Sequence, residues 1–390
     1  MTGEERWRAL IFGQARGPGA AAARAGLAAL AGLYGGVMSA YRVAYDRGLV
    51  RTVTAGCRVI SVGNLTVGGT GKSTTVRWLA ARLRDRGVPV AVLSYGYRAG
   101  SDEPVTVVSD GHRVLVPASV SGDEPRMLAE ALPGVPVLIG KRRQLSAAAA
   151  VQRFGVRACV LDDAFQYWRL VKDLDLVLLD ALCPFGGGHL LPRGLLREAP
   201  RQLRRAHAVV LTQAHRLSER ERAALRQQVR RLTPGAVLAE ARHAPRPLRP
   251  IGQGVQVFRC SGVQAGRPEH LNTRTPEHLN TELHGRRVLA LSSLGNPEGF
   301  ERSLVGLGAE VVPARYPDHH PYRPEELRRE AERARAAGCA MIVTTEKDAV
   351  KIERGWESTV PLRVLPVELE FDAGREELEA LVDALVSEQG

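Results

Sequence analysis

Cysteine is scarce in this 390-residue sequence: five residues, Cys57, Cys159, Cys183, Cys260 and Cys339, with no C-x-x-C pair among them. Such an odd, scattered set excludes a disulfide framework and a zinc site and suits a reducing compartment. A secretory signal is also missing, since the apolar part of the N-terminal segment begins late and no small-residue cleavage site follows a basic stretch. Aromatic residues make up only 5%. They do not interleave with the basic ones as a nucleic-acid surface requires, so no nucleic-acid partner is expected. Charge of one sign is in deficit: 42 acidic residues face 54 Lys and Arg, a net +12, which suits an anionic partner such as a phosphate ligand or an acidic membrane face.

What is present describes a globular protein. Apolar residues are 44% and charged residues 25% of the chain, and its length suits two domains, because single cores rarely grow beyond about 250–300 residues. The most informative stretch is RVISVGNLTVGGTGKSTT, Arg58 to Thr75. Val59, Ile60 and Val62 read as a buried strand, Gly68, Gly69 and Gly71 as a turn almost free of side chains, and Ser73 onward as a helix start. Strand, glycine turn and helix N-terminus make a phosphate cradle, predicted here to run through Thr66, Val67, Gly68, Gly69, Thr70, Gly71, Lys72, Ser73 and Thr74. Lys72 would neutralise the outer phosphates of ATP and the Ser73 hydroxyl would ligate Mg²⁺. The strict pattern G-x-x-x-x-G-K-[ST] wants glycine where Thr66 stands, so this is a variant P-loop.

Ahead of it, Ala25 to Tyr41 carries no charge over 17 residues, at the lower edge of what spans a bilayer. Leu27, Leu30, Tyr34, Val37, Tyr41 and Tyr45 fall at helical spacing on one stripe, flanked by Arg16, Arg24, Arg42, Arg47 and Arg51. Such a helix either lies in a membrane interface with its arginines toward anionic head groups or docks on the protein's own core.

Downstream, strand and helix signals alternate, which indicates parallel α/β architecture. Strands are predicted at Pro89 to Tyr97, as a pair from Val105 to Val116 turning at Asp110-Gly111, and at Pro136 to Ile139. Asp123 and Glu124 stand at a loop-to-helix junction, where adjacent carboxylates can hold a metal, accept a proton or cap the helix. The apolar strand from Ala158 closes on Asp162 and Asp163, the arrangement by which a P-loop enzyme brings a carboxylate to Mg²⁺. Asp175 to Asp180 repeats the strand theme before a glycine-rich loop, Gly186 to Glu198, that ends in Arg197 and Glu198. Three prolines between Pro245 and Pro250 read as a linker. PEHLNT at Pro268 returns at Pro276, too short a duplication for a solenoid, and reads as a surface insertion near 264–284 in which His270 and His278 lack the company a metal site needs. Near the end come a Pro-bounded Asp318-His319-His320 loop, a strand from Ala340 into the ionic turn Glu346-Lys347-Asp348, and a helix from Arg375.

GNLTVGGTGKS, SGDEP, LDDAFQ, LLPRGLLRE, LGNPEGF, YPDHH and TTEKDAVK occur in the order seen in tetraacyldisaccharide 4'-kinases, and the chain resembles that bacterial lipid A pathway family over nearly its whole length. The resemblance implies an α/β fold: a P-loop NTPase-like parallel sheet core, a second, smaller α/β domain across a hinge, and an N-terminal amphipathic membrane helix. In this chain's numbers that is 1–50 for the helical segment, 51–245 for the kinase domain and 246–390 for the C-terminal domain. It implies ATP-dependent phosphorylation of the 4'-hydroxyl of lipid A disaccharide 1-phosphate, at an anionic membrane surface on the cytoplasmic face of the inner membrane. It assigns proton removal to Asp123, assisted by His319 once the domains close, with Lys72 as the charge-stabilising cation. Ser73, Asp162 and Glu124 fall to the metal, and Asp163, Arg197 and Glu198 to substrate or supporting contacts. The chain departs from the family pattern in Ser73-Thr74 for Thr-Pro, in Ala164 and Tyr167 for a glycine and a histidine, and in Lys172 for an arginine. Serine keeps the metal-binding hydroxyl; Tyr167 donates a hydrogen bond but is no cation near neutral pH. A membrane-positioned regulatory P-loop ATPase of the deviant Walker type shares GGTGKST, yet has a lysine before the paired glycines, where this chain has Val67.

Overall fold

In the computed structural model, residues 3–252, 282–353, 356 and 358–387 are described. The PEHLNT repeat with His270 and His278, and nearly all of the expected insertion, lie outside the described residues. The strands in chain order are β1 (Arg58–Asn64), β2 (Val90–Ser94), β3 (Thr106–Asp110), β4 (Pro136–Ile139), β5 (Ala158–Asp162), β6 (Leu174–Asp180), β7 (Ala208–Thr212), β8 (Val237–Pro245), β9 (Arg249–Pro250), β10 (Arg287–Ser292), β11 (Glu310–Arg315), β12 (Met341–Thr345), β13 (Leu362–Leu365) and β14 (Val367–Ala373).

Contacts divide the chain into two compact units, one of Met1–Val76, Arg143–Arg242 and Glu370–Gly390, the other of Arg77–Arg142 and His243–Leu369. The boundaries expected from sequence, 1–50, 51–245 and 246–390, run linearly along the chain; these units do not. The stretch 77–142 packs with the C-terminal half, a long-range pairing that no local composition shift records.

In the first unit the strand order is β14-β8-β7-β6-β1-β5, and β1 pairs parallel with both β5 and β6. β5 and β7 are buried at every position, as strands covered on both faces must be, so they read as continuous apolar runs and not as alternation. Leu65, Phe165, Val177, Leu196, Val209 and Leu225 belong to one core cluster of this unit, each such side chain contributing roughly 1.5–3 kcal/mol on burial. Cys57 and Cys159 are thiols here, with their sulfurs 3.5 Å apart. The second unit holds β2-β4-β3 and a separate sheet ordered β11-β10-β12-β13-β9. β10, β11, β12 and β13 are parallel, over a core that includes Leu289, Leu291, Ile342 and Leu362.

Two local expectations are corrected. The strand pair from Val105 to Val116 is a single strand, β3, because the Asp110 carboxylate accepts hydrogen bonds from the backbone of His112 and Arg113 at 2.8 and 2.7 Å and folds the chain into a turn. Of the return strand there remain a Ser109–Val114 bridge and the backbone bonds from Leu115 to Val108 and from Asp110 to Arg113, at 2.8 and 3.3 Å. The proline-rich stretch after Pro245 is not merely a linker: Arg249 and Pro250 form β9, an edge strand antiparallel to β13, a place where proline costs no ladder bond.

The N-terminal helix runs Pro18–Asp46, 29 residues, long and apolar enough to cross a membrane by length and composition. Its predicted single stripe divides. Tyr34 donates from its hydroxyl to the Arg197 carbonyl at 2.9 Å, and the Tyr45 ring lies 6.1 Å from Trp168, whereas Leu30, Leu33 and Val37 are 55%, 68% and 59% exposed. Helical periodicity marks an apolar face but does not say whether lipid or protein covers it; here part of the helix meets the protein through Tyr34 and Tyr45, and Leu30, Leu33 and Val37 stay exposed.

Candidate active site

The seven sequence motifs sort by unit. In the first, β1 delivers the chain into the phosphate loop, where Gly68 and Gly71 take φ of 125° and 87°, backbone that L side chains rarely adopt. Thr66, in place of the strict glycine, is buried and bridges to Leu196, and the Asn64 side-chain amide donates to the Thr70 hydroxyl at 3.1 Å. The helix Lys72–Asp85 starts at once; the Thr74 and Thr75 hydroxyls both donate to the Gly71 carbonyl, at 2.7 and 3.0 Å, and fix its first turn. Val67 is tied to the glycine-rich loop through its N–H to the Leu195 carbonyl at 2.9 Å. Lys72 Nζ lies 3.9 Å from Asp163, whose other oxygen receives Arg197 at 2.8 Å.

Asp162 ends β5 beside Val62 of β1 and is buried. Asp163 follows in the left-handed region at φ 50°, a conformation uncommon outside glycine. Buried Arg143 donates to the Asp162 carbonyl at 3.2 Å, and Gln166 to the Asn64 carbonyl at 2.9 Å, so the acidic turn is pinned from both sides. Lys172, the departure from arginine, donates to the Ala164 and Phe165 carbonyls; burial pushes its ammonium down, and Asp175 at 2.8 Å pulls it back only in part. Glu198 is buried against Arg205 at 3.0 Å, and Arg205 in turn stacks 4.3 Å from the Phe165 ring. Tyr167 bonds Gln144, so the residue replacing a family histidine is engaged with a neighbouring amide. Ser73 and Asp162 offer hard oxygen donors of the kind Mg²⁺ prefers, a fit of donor chemistry to the metal.

In the second unit SGDEP, LGNPEGF, YPDHH and TTEKDAVK converge. Gly122, at φ 85°, allows a close approach in which a Cβ would stand 2.8 Å from the Tyr97 carbonyl, and the next residue, Asp123, begins the helix Asp123–Ala131. His319, itself left-handed at φ 62°, places Nδ1 2.9 Å from Asp123 Oδ2. The expectation that these two meet only on domain closure is thereby corrected, because both belong to one unit and are already hydrogen-bonded. Glu124 is partly exposed, with Lys347 Nζ 3.7 Å from its carboxylate.

Two lysines complete the cluster: Lys347, expected only as part of an ionic turn, and Lys351, for which the sequence offered no role. Lys347 Nζ is 3.2 Å from His319 Nε2, and Lys351, nearly buried, is 3.7 Å from Asp123 and 2.6 Å from Asp348. Their spacing of four, across the short helix Glu346–Ala349, was the available signal, since it sets both ammonium groups on one side. Asp348 is fully buried and also accepts from the Ser293 hydroxyl at 2.6 Å. Burial pushes its carboxyl up, but Lys351, Ser293 and Thr345 outweigh that and hold it below the usual carboxylate range. A group so lowered stabilises the fold above about pH 4 and loses that contribution as pH falls through its native value. Asp348→Asn, which leaves the nearly buried Lys351 only the more distant Asp123 carboxylate and the Ser293 hydroxyl, should therefore cost about 1–3 kcal/mol at pH 7. Thermal melts should show the gap from wild type narrowing below pH 4; an unchanged gap at pH 3 would contradict this account of the cluster.

The tetraacyldisaccharide-1-P 4'-kinase family model matches residues 23–387. The chain belongs to the tetraacyldisaccharide 4'-kinase family. A curated member from Anaeromyxobacter sp. (strain K) is 45% identical over 346 residues, 88% of this chain and 85% of that protein. One from Halothermothrix orenii is 38% identical over 315 residues, 80% of this chain and 79% of that protein. Among solved structures, an "apo" form of LpxK from Aquifex aeolicus in complex with ATP is similar at a TM-score of 0.70 and 27% identity, covering 93% of this chain and 99% of that one. These likenesses agree with the α/β, parallel-sheet architecture described above.

Proposed function

We propose that this chain transfers the γ-phosphoryl group of ATP to the 4'-hydroxyl of tetraacyldisaccharide 1-phosphate, a step of lipid A biosynthesis. The observation that carries the reading is the family match over residues 23–387. Such a transfer is achieved almost wholly by positioning and charge stabilisation, plus removal of one proton. Lys72 and the loop amides from Thr66 to Thr74 hold the phosphates, and Ser73 with Asp162 would hold Mg²⁺. When bound, that metal would supply positive charge to offset what develops on the phosphates. Arg197 keeps Asp163 beside Lys72, and Glu198 acts as a support for that loop through Arg205. Asp123 takes the alcohol proton with His319 orienting it, and Glu124 contacts substrate or metal at the same helix start. Purified protein given ATP should consume it when supplied with tetraacyldisaccharide 1-phosphate and fail with an acceptor lacking the 4'-hydroxyl; equal consumption with both would overturn the reading.

The enzyme works as a peripheral protein on the cytoplasmic face of the inner membrane, its N-terminal helix turned to an anionic surface by Leu30, Leu33 and Val37. Each exposed leucine or valine contributes roughly 1.5–3 kcal/mol when buried. Leu33→Asp combined with Val37→Asp should thus weaken co-sedimentation with anionic liposomes by about 10²-fold or more and leave ATP affinity intact. Unchanged co-sedimentation would favour a helix held by protein alone.

A further inference from the structure

A lysine ammonium only donates hydrogen bonds, whereas a neutral imidazole has one donor and one acceptor nitrogen. His319 faces a carboxylate through Nδ1, 2.9 Å from Asp123 Oδ2, and an ammonium through Nε2, 3.2 Å from Lys347 Nζ. With the proton on Nε2, that N–H would point at the ammonium while the bare Nδ1 faced the carboxylate, so both contacts would repel. With the proton on Nδ1, both attract. Asp318 Oδ2 lies 3.8 Å from Nε2, beyond hydrogen-bond reach, and its partner oxygen stands 3.4 Å from Lys347. Asp318 and Glu124 flank Lys347 and aim its charge at the ring.

From this geometry we infer that Lys347 is a positioning residue that locks His319 as the neutral Nδ1–H tautomer, so that the proton leaving the acceptor alcohol stops on Asp123. The inference rests on Asp123 being the base. In that step the alcohol O–H bond breaks and its proton passes to the Asp123 carboxylate. The alcohol oxygen bonds to the γ-phosphorus, and the bond to the β-phosphate bridging oxygen breaks to release ADP. His319 already carries its proton on Nδ1 and is capped on Nε2. It therefore orients the carboxylate and takes no proton from it.

The tautomer is read directly by long-range ¹H–¹⁵N correlation on full-length protein labelled at histidine, with the His319 signals assigned by their loss in His319→Gln. Wild type should show a protonated Nδ1 and a bare Nε2; a protonated Nε2 overturns the inference. Lys347→Met, which leaves the Nδ1–H held by Asp123 but Nε2 uncapped, should shift the Nε2 signal from its wild-type position and lower kcat about 10–100-fold with little change in KM for ATP, the scale of one lost charged hydrogen bond. Lys347→Arg, which still donates, should restore much of both. A Lys347→Met protein with wild-type kcat and an unshifted Nε2 signal refutes the role of Lys347. Normal turnover in Asp123→Asn alongside an Nδ1–H His319 removes the base reading instead, so the two failures are told apart.

Discussion

Lys72→Ala should leave a folded protein whose kcat is about 10³-fold below wild type. Lys72 is the first residue of its helix, its side chain packs into neither core cluster, and its observed partner is the Asp163 carboxylate at 3.9 Å. Its removal therefore takes away the cation proposed to meet the phosphate oxygens and no core atoms. Loss of one preorganised charge-stabilising group typically costs about 10²–10³-fold in kcat, and the transferring phosphoryl group spreads its charge over three oxygens, which places this cation at the upper end. Asp163 keeps Arg197 at 2.8 Å, so the acidic turn should stay in place and the melting temperature should barely move. Near-normal kcat in a folded Lys72→Ala protein would remove the loop from the chemistry.

Asp123→Asn should lose about 10²–10⁴-fold in kcat, the usual contribution of a general base, and keep near-normal nucleotide affinity. An acid proposed to hold Mg²⁺, as Asp162 is, should instead depress both when neutralised. His319→Ala should show the first pattern, because its Nδ1 lies 2.9 Å from the carboxylate it orients. Groups that act as one unit are not additive, so the double variant should be scarcely worse than the worse single. Fully multiplicative losses in kcat across the four proteins would show that His319 works independently of Asp123.

Much of the first unit was legible because its physics is local. Parallel strands covered on both faces must be apolar throughout, and β1, β5, β6 and β7 stand where such runs occur. The phosphate loop survived the loss of its first glycine because Gly68 and Gly71 supply the positive φ values, while Thr66 is buried against Leu196. The Asp123–His319 partnership came from the family resemblance, not from spacing, since the two are 196 positions apart. What stayed hidden depends on contacts that no window of sequence records. Lys347 and Lys351 gain a role only when His319 and Asp348 are placed beside them. The N-terminal stripe looked uniform because periodicity does not distinguish Tyr34, bonded to Arg197, from Leu30, left exposed. Likewise, nothing local told that 77–142 packs with the C-terminal half.

The most direct test follows the phosphate itself. Purified full-length protein is incubated with γ-¹⁸O-labelled ATP and tetraacyldisaccharide 1-phosphate, and the products are resolved by tandem mass spectrometry. The account predicts one labelled phosphate on the 4'-oxygen of the lipid for each ADP formed. Label found only in inorganic phosphate, with the lipid unchanged, would contradict it.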